Sequence, residues 1–266
     1  MEKLKLTRQE SLGIGQTSIE YDPRVLVDLK KQIEAKRILV VGETHGIVEN
    51  YQAYQFLIIK FGITNVGIEL PENQFGFLKN LGNANSMNDP LIMLKLRSIA
   101  HQDGRINTTL ITFLEFLKRC QANIFFIDNP IYKFQTKEEA EEATKAREEY
   151  NKQQRDRAMA DGVIKNTSNG QNTLIIAGSH HTKIARDGSM SNFLQLDSIP
   201  TVPMTFIYSS GSYFNFGKKN IFSNEDSNKK PKSQNFELLQ PEPDSFVIQI
   251  PKANPVDINF DNPSNS

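Results

Sequence analysis

Four short apolar runs constrain this chain more than anything else in it. Ile38-Leu-Val-Val41, Val66-Gly-Ile-Glu-Leu70, Asn123-Ile-Phe-Phe-Ile-Asp128 and Thr173-Leu-Ile-Ile-Ala177 are each four to six residues long. Each is bounded by glycine, proline or polar residues, and helix-length segments separate them. Runs of that length read as buried strands, and a strand–helix–strand order with short crossovers makes the strands parallel. The expected fold is therefore α/β: a mostly parallel central sheet flanked by helices. Thr201 to Tyr208 reads as a fifth strand.

The helices between them are legible in outline. Asp22-Pro23 places an N-cap acid before a proline at the first helical position, and Val25, Leu29 and Ile33 follow as one apolar stripe. Tyr54, Leu57, Ile58 and Phe61 fall at helical spacing, with Gly62 as a stop. Residues 72–82, 90–100 and 106–119 fit helices, with a Gly/Asn/Ser loop at 82–89 between the first two. Lys137 to about Asn166 reads as a long charged helix. Residues 1–20 read as irregular.

The chain has 266 residues, which suits one α/β domain over 1–216 with an extension over 217–266. In that extension Asn, Ser, Lys and Pro dominate. Such a segment buries too little to offset its chain entropy, so a partly disordered polar tail is expected, with one edge strand at Phe246-Val-Ile-Gln-Ile250. Lys+Arg and Asp+Glu balance at 31 each, which argues against a nucleic-acid surface as the main business. The single cysteine, Cys120, excludes an internal disulfide framework and a cysteine-rich zinc site. There is no signal-type apolar core near the start and no run long enough for a membrane span, so a cytoplasmic protein is expected. The partner expected is a small-molecule or peptide substrate; the oligomeric state is not legible.

Reactive side chains end the apolar runs. The first strand stops at Gly42-Glu43-Thr44-His45, the second carries Glu69, the third ends on Asp128 and the fourth turns at Gly178-Ser179-His180-His181. Parallel strands would gather these groups at one sheet edge, where open α/β sheets bind ligands. Each has a plainer reading. Glu43 can favour a helix N-terminus, Asp128 can cap the Asn129-Pro130 turn, and Glu69 can pair with an arginine or lysine. Yet three of the four histidines follow glycine turns at strand ends, and imidazole suits both acid–base work near neutrality and metal ligation. His101 ends a helix, where dipole stabilisation is the simpler role. In Arg155-Asp156-Arg-Ala-Met159-Ala, Met159 and Val163 mark an apolar face that can carry Arg155 or Asp156 toward the same edge. The chain lacks a Gly-x-Ser-x-Gly elbow, a phosphate-cradling Gly-x-x-x-x-Gly-Lys and a dinucleotide Gly-x-Gly-x-x-Gly after the first strand.

These elements, in this order, resemble the erythromycin esterase-like, Tiki/TraB and haem-binding uptake (ChaN-like) superfamily. Gly42-Glu-Thr-His45-Gly is similar to its first motif, Glu69 to its second-strand glutamate, Arg155-Asp-Arg-Ala-Met-Ala to its Arg-Asp-x-x-Met-Ala segment, and Ala177-Gly-Ser-His-His181 to its final Gly-x-x-His turn. The likeness spans roughly residues 37–186. The Gly-x-x-His register fits at both ends and favours His181 over His180. The single residue between Glu43 and His45 departs from the usual erythromycin esterase motif, and no lipobox cysteine is present.

The resemblance implies a site at the strand C-termini and a water-activating hydrolase of an ester or peptide-like bond. Glu43, His45, Glu69, His181, His180 and Arg155 are its candidate catalytic residues. In one version His45, His181, Glu43 and Glu69 hold a divalent metal (Zn, Mn or Fe). In the other no metal binds, and His45 is a general base oriented by Glu43 or Glu69, with His181 or Arg155 stabilising the oxyanion. The rival is a ChaN-like protein that binds haem or metal without turnover.

Overall fold

The computed structural model describes residues 19–80, 94, 104–128, 154–167, 170–215, 218–221 and 235–256. In chain order these form β1 (Ile19–Tyr21), α1 (Pro23–Lys36), β2 (Ile38–Glu43), α2 (Val48–Phe61), β3 (Asn65–Pro71), the short α3 (Glu72–Phe75) with a 3-10 turn (Gly76–Asn80), α4 (Thr108–Arg119), β4 (Asn123–Asp128), α5 (Arg155–Thr167), β5 (Thr173–Gly178), α6 (Met190–Leu196), β6 (Thr201–Tyr208), β7 (Ser212–Phe214), β8 (Lys218–Asn220), β9 (Phe236–Glu242) and β10 (Ser245–Ile250).

Eight strands make one sheet in the order β1-β9-β10-β6-β2-β5-β3-β4. From β10 to β4 every neighbouring pair is parallel; only β9 runs against β10. The α/β expectation holds. β5 is threaded between β2 and β3, so the two Gly-x-x-His turns leave adjacent strands, with Glu43 level with Gly178. Alternation along the strands splits the apolar side chains between two layers. Leu39, Val41, Val66, Ile68 and Ile176 pack with α1, α2 and α4, whereas Val40, Phe125, Ile127 and Ile175 pack with α5 and α6.

The helix signals act as their chemistry dictates. Asp22 accepts the amide of Arg24 and caps α1, and Gly62 closes α2 in the left-handed conformation. Asn107 caps α4 through the amide of Leu110 (2.8 Å). On α5 the buried positions are Asp156, Met159, Ala160 and Val163, a helical stripe that carries an acid inward. The helix over residues 72–82 is shorter than expected, giving way to a 3-10 turn after Phe75. The expectations for residues 82–93 and 95–100, for His101 and for 137–153 lie outside the described residues.

The polar extension differs from its expected form. β10 is an inner strand, paired with β6 on one side and β9 on the other. The physical reason is alternation: Phe246, Ile248 and Ile250 face the main core, as do Phe236 and Leu238 of β9. Among the described residues no helix is long and apolar enough to cross a membrane.

Candidate functional site

Four strand ends converge on Glu69. The β3–β5 ladder stops at Ile68–Ile176, and the Glu69 side chain takes over from the backbone. Its Oε2 accepts the amide of Gly178 (2.7 Å), and its Oε1 accepts from Arg155 (2.8 Å) and Arg105 (3.1 Å). Glu69 is only 3% exposed. Burial opposes its ionisation, but the positive charges of His45, Arg105, His181 and Arg155 outweigh that and hold its carboxyl well below the usual carboxylate range. Glu69 is therefore a fixed negative charge and a poor proton acceptor.

An imidazole flanks this carboxylate on each side. His45 Nδ1 is 2.8 Å from Glu43 Oε1, and its Nε2 is 3.6 Å from Glu69 Oε2. His181 Nδ1 is 2.8 Å from Asp156 Oδ1, and its Nε2 is 3.6 Å from Glu69 Oε1. The two halves are alike: a carboxylate accepts the hydrogen bond of Nδ1–H, which leaves Nε2 as the nitrogen with the free lone pair. Burial pulls the pKa of His45 down, but the Glu43 hydrogen bond and the charges of Glu69 and Glu43 raise it above its ordinary value.

Supporting contacts fix each half. The Oε2 of Glu43 accepts from Asn50 Nδ2 (2.6 Å) and from the hydroxyl of Tyr54, both on α2. Burial and the Glu43 carboxylate push the Tyr54 hydroxyl well above the ordinary phenol range, so it remains a donor. Tyr208 donates to Asn50 Oδ1 (2.8 Å) and accepts the amide of Thr44 (3.2 Å). Asp156 Oδ1 also accepts the amide of Met190 (2.8 Å), at the start of α6. Gly178 allows this closeness: a Cβ there would stand 3.0 Å from His45 Nε2 and 3.5 Å from Glu69 Oε2.

The candidate residues do not all reach the centre. Glu43, His45, Glu69, Arg155 and His181 come together. His180 does not: it is exposed, its carbonyl oxygen accepts from Arg186 (2.7 Å), and desolvation and the Arg186 charge lower its pKa. Consecutive residues on a turn point apart, and the Gly-x-x-His register selects the second histidine. Asp128 receives Nε and Nη2 of Arg155 at 3.0 and 2.7 Å, so it anchors that guanidinium. Two groups were missed. Arg105 comes from a polar turn with no periodic signal, and Asp156, weighed only as an alternative to Arg155, enters beside it.

The turn carrying His45 is held from behind by β7 and by the C-terminal extension. The carbonyl of Gly46 accepts the amides of Phe214 (3.1 Å) and Val256 (3.0 Å), and Val48 donates to the carbonyl of Asn254 (3.0 Å). The buried Glu49 carboxylate accepts both the amide and the side-chain nitrogen of Asn254, at 2.8 and 2.5 Å. Gly46 has φ +78°, and a Cβ there would run into the Phe214 carbonyl oxygen. Asn254→Ala should therefore lower unfolding free energy by about 1–3 kcal/mol, the usual cost of removing a hydrogen bond to a buried charge. Urea unfolding checks this, and an unchanged midpoint would show that the strap is idle.

A narrow pocket adjoins His45, with about 390 Å³ of empty space when the open solvent at its mouth is included. Its polar end is Glu43, His45, Glu69 and Arg105; its walls include Tyr51, Leu110, Phe113, Ile68 and Ile176. His181 and Arg155 are not among its lining residues.

The residues do not suit a metal. Among the described residues no group of three or more His, Cys, Asp or Glu side chains is set to hold one. Both Nδ1 atoms are taken by carboxylates, Arg155 Nη1 faces His181 Nε2 at 3.4 Å, and Glu69 already receives two guanidiniums. A metal ion here would sit against fixed positive charges. Nor does the set suit haem iron, since Nε2 of each imidazole faces the Glu69 carboxylate.

No protein-family model matches the chain, and no curated protein matches it. Solved structures do. A protein from Bacillus cereus aligns with a TM-score of 0.60 at 11% identity, over 96% of this chain and 99% of its own. An erythromycin esterase, EreC, in its open conformation aligns with 0.58 at 12% identity, over 91% and 96%. A succinoglycan biosynthesis protein aligns with 0.57 at 12% identity, over 97% and 99%. The fold expected from the motif resemblance is the one these neighbours share; at such identities the likeness is one of fold.

Proposed function

We propose that the protein is a hydrolase that uses His45 to activate water against an ester or peptide-like carbonyl, with no metal in the step. The observation that supports this best is the pair of carboxylate–imidazole units whose Nε2 atoms converge on one ionised carboxylate. Glu43 holds the Nδ1 proton of His45, so Nε2 accepts a proton from water as the water oxygen bonds to the carbonyl carbon. Glu69 and Glu43 stabilise the imidazolium that results. Arg105 lies at the polar end of the pocket and meets the oxygen that becomes negative. When the intermediate collapses, the proton on Nε2 passes to the departing alkoxide or amine, and the acid product forms. His181 is held by Asp156 and Arg155 on the far side of Glu69, which the Gly178 amide and the two arginines fix in place.

Proton affinity decides between the candidate bases. Glu69 is held too acidic to take a proton from water near neutrality, whereas the pKa of His45 is raised above its ordinary value by the Glu43 hydrogen bond and the charges of Glu69 and Glu43. The fold shared with an erythromycin esterase supports the reaction class and says nothing of the substrate. A panel of esters and peptides, assayed with and without chelator, is the test. Hydrolysis that persists undiminished in EDTA is expected. Activity lost in EDTA and restored by Zn or Mn would overturn the metal-free step. No turnover together with a Soret band on haem addition would overturn the hydrolase reading.

A further inference from the structure

A glycine stands next to each of two side chains that face Glu69. Gly46 follows His45, and Gly104 precedes Arg105. Both glycines are buried, and both have the left-handed backbone, at φ +78° and +77°. Both also abut one atom. A Cβ on Gly46 would run into the carbonyl oxygen of Phe214, and one on Gly104 would stand 2.6 Å from it. The Cβ on Gly104 would also lie 3.2 Å from the Gly46 Cα, so the two turns meet through backbone. We propose that Gly46 and Gly104, closed on the Phe214 carbonyl, are positioning residues that set the spacing between His45 and Arg105. In the reaction the attacking oxygen and the oxygen that becomes negative share one carbon, so base and oxyanion donor must keep a fixed spacing. For that role the inference rests on the hydrolase reading; the contact itself does not.

Each side of the contact is anchored elsewhere. Phe214 donates to the Gly46 carbonyl (3.1 Å), and Ser212 of the same strand donates to the carbonyl of Ala253 (3.0 Å). On the other side the fully buried Asn107, which caps α4, donates to the Gly104 carbonyl (2.8 Å). The His45 turn therefore belongs to β7 and the 253–256 segment, and the Arg105 turn belongs to α4. They meet at the glycines and again on the carboxylate, where Arg105 Nη1 is 3.1 Å from Glu69 Oε1 and His45 Nε2 is 3.6 Å from Oε2. A methyl group at Gly104 would press on a backbone oxygen, so relief comes from the turns moving apart.

The test is an NMR titration of the histidine ring protons in the full chain, with His45 assigned by its loss in His45→Ala. His45 faces Glu43 of β2, Glu69 of β3 and Arg105. Burial and the Arg105 charge oppose its protonation, while the two carboxylates favour it. Arg105→Gln should therefore shift the His45 midpoint upward. Gly104→Ala should shift it in the same direction, and should add nothing in the Arg105→Gln background. On any ester or peptide that is hydrolysed, Gly104→Ala should lower kcat by about a hundredfold with KM near wild type, the cost of a small misplacement of reacting groups.

A Gly104→Ala protein that is less stable but titrates as wild type would show a merely structural glycine and overturn the inference. So would a shift that persists in full beside Arg105→Gln. Should Gly104→Ala not fold, two measurements decide: a wild-type cross-peak between the α-protons of Gly46 and Gly104, and the Arg105→Gln shift. Absence of either overturns the inference. The expected titration with kcat unchanged would overturn the link to the reaction. The expected titration with no ester or peptide turned over would overturn the hydrolase reading and leave the spacing role standing.

Discussion

Replacing Glu69 with glutamine should destabilise the fold by about 3–5 kcal/mol, the usual cost of removing one partner from a buried ion pair. The carboxylate is 3% exposed and receives two guanidiniums, so its loss leaves positive charge uncompensated in a dry place. Glutamine keeps one acceptor oxygen for the Gly178 amide, but it also turns an NH₂ group toward a guanidinium or an imidazole. Urea unfolding measures the loss as a lower midpoint with unchanged slope. An unchanged midpoint would mean that Glu69 carries no net stabilisation where it stands.

The sign of the pH dependence follows from the direction of the shift. The folded-state pKa of Glu69 is depressed, so its contribution is fully present above the unfolded value of 4.5 and is lost as pH falls below that toward the folded value. Wild type should therefore lose stability below pH about 4.5 more steeply than Glu69→Gln. His45 has the opposite sign. Its folded pKa is raised, so its contribution is full below 6.5 and fades as pH climbs through the higher folded value.

Much of this arrangement was legible before any coordinates. β2 to β6 fall within two residues of their expected bounds because each is an apolar run closed by glycine, proline or a polar turn. Parallel order then brought Glu43, Glu69 and His181 to one edge by topology alone. What escaped were residues whose role is made by tertiary approach. Arg105 lies in a polar turn before α4 and reaches the site only because that turn packs over the end of β3. Tyr54 read as one member of the α2 core stripe. It is a core residue, 1% exposed, yet its hydroxyl also serves Glu43. The β9–β10 hairpin was hidden by the average polarity of the extension. Its signal was local: Phe236 and Leu238 alternate with polar neighbours, and Pro243-Asp244 joins two such runs.

His45→Ala should lower kcat/KM by about a hundred- to ten-thousandfold, the range a general base supplies. Its unfolding midpoint should stay close to wild type. The side chain is 22% exposed, and Glu43 keeps Tyr54 and Asn50 as donors when the imidazole goes, so no buried charge is left alone. This contrast with Glu69→Gln separates the two proposed roles, Glu69 as the group that holds the site together and His45 as the proton acceptor. The pH profile adds a signature that a structural role would not show. A base must be neutral to act, so kcat/KM should rise with pH through a value above 6.5, because the pKa of His45 is raised. Glu43→Gln removes one cause of that rise, and the acid limb should move to lower pH while the plateau drops. A limb that stays in place in Glu43→Gln, or a His45→Ala enzyme that keeps wild-type kcat/KM, would assign the proton transfer to another group.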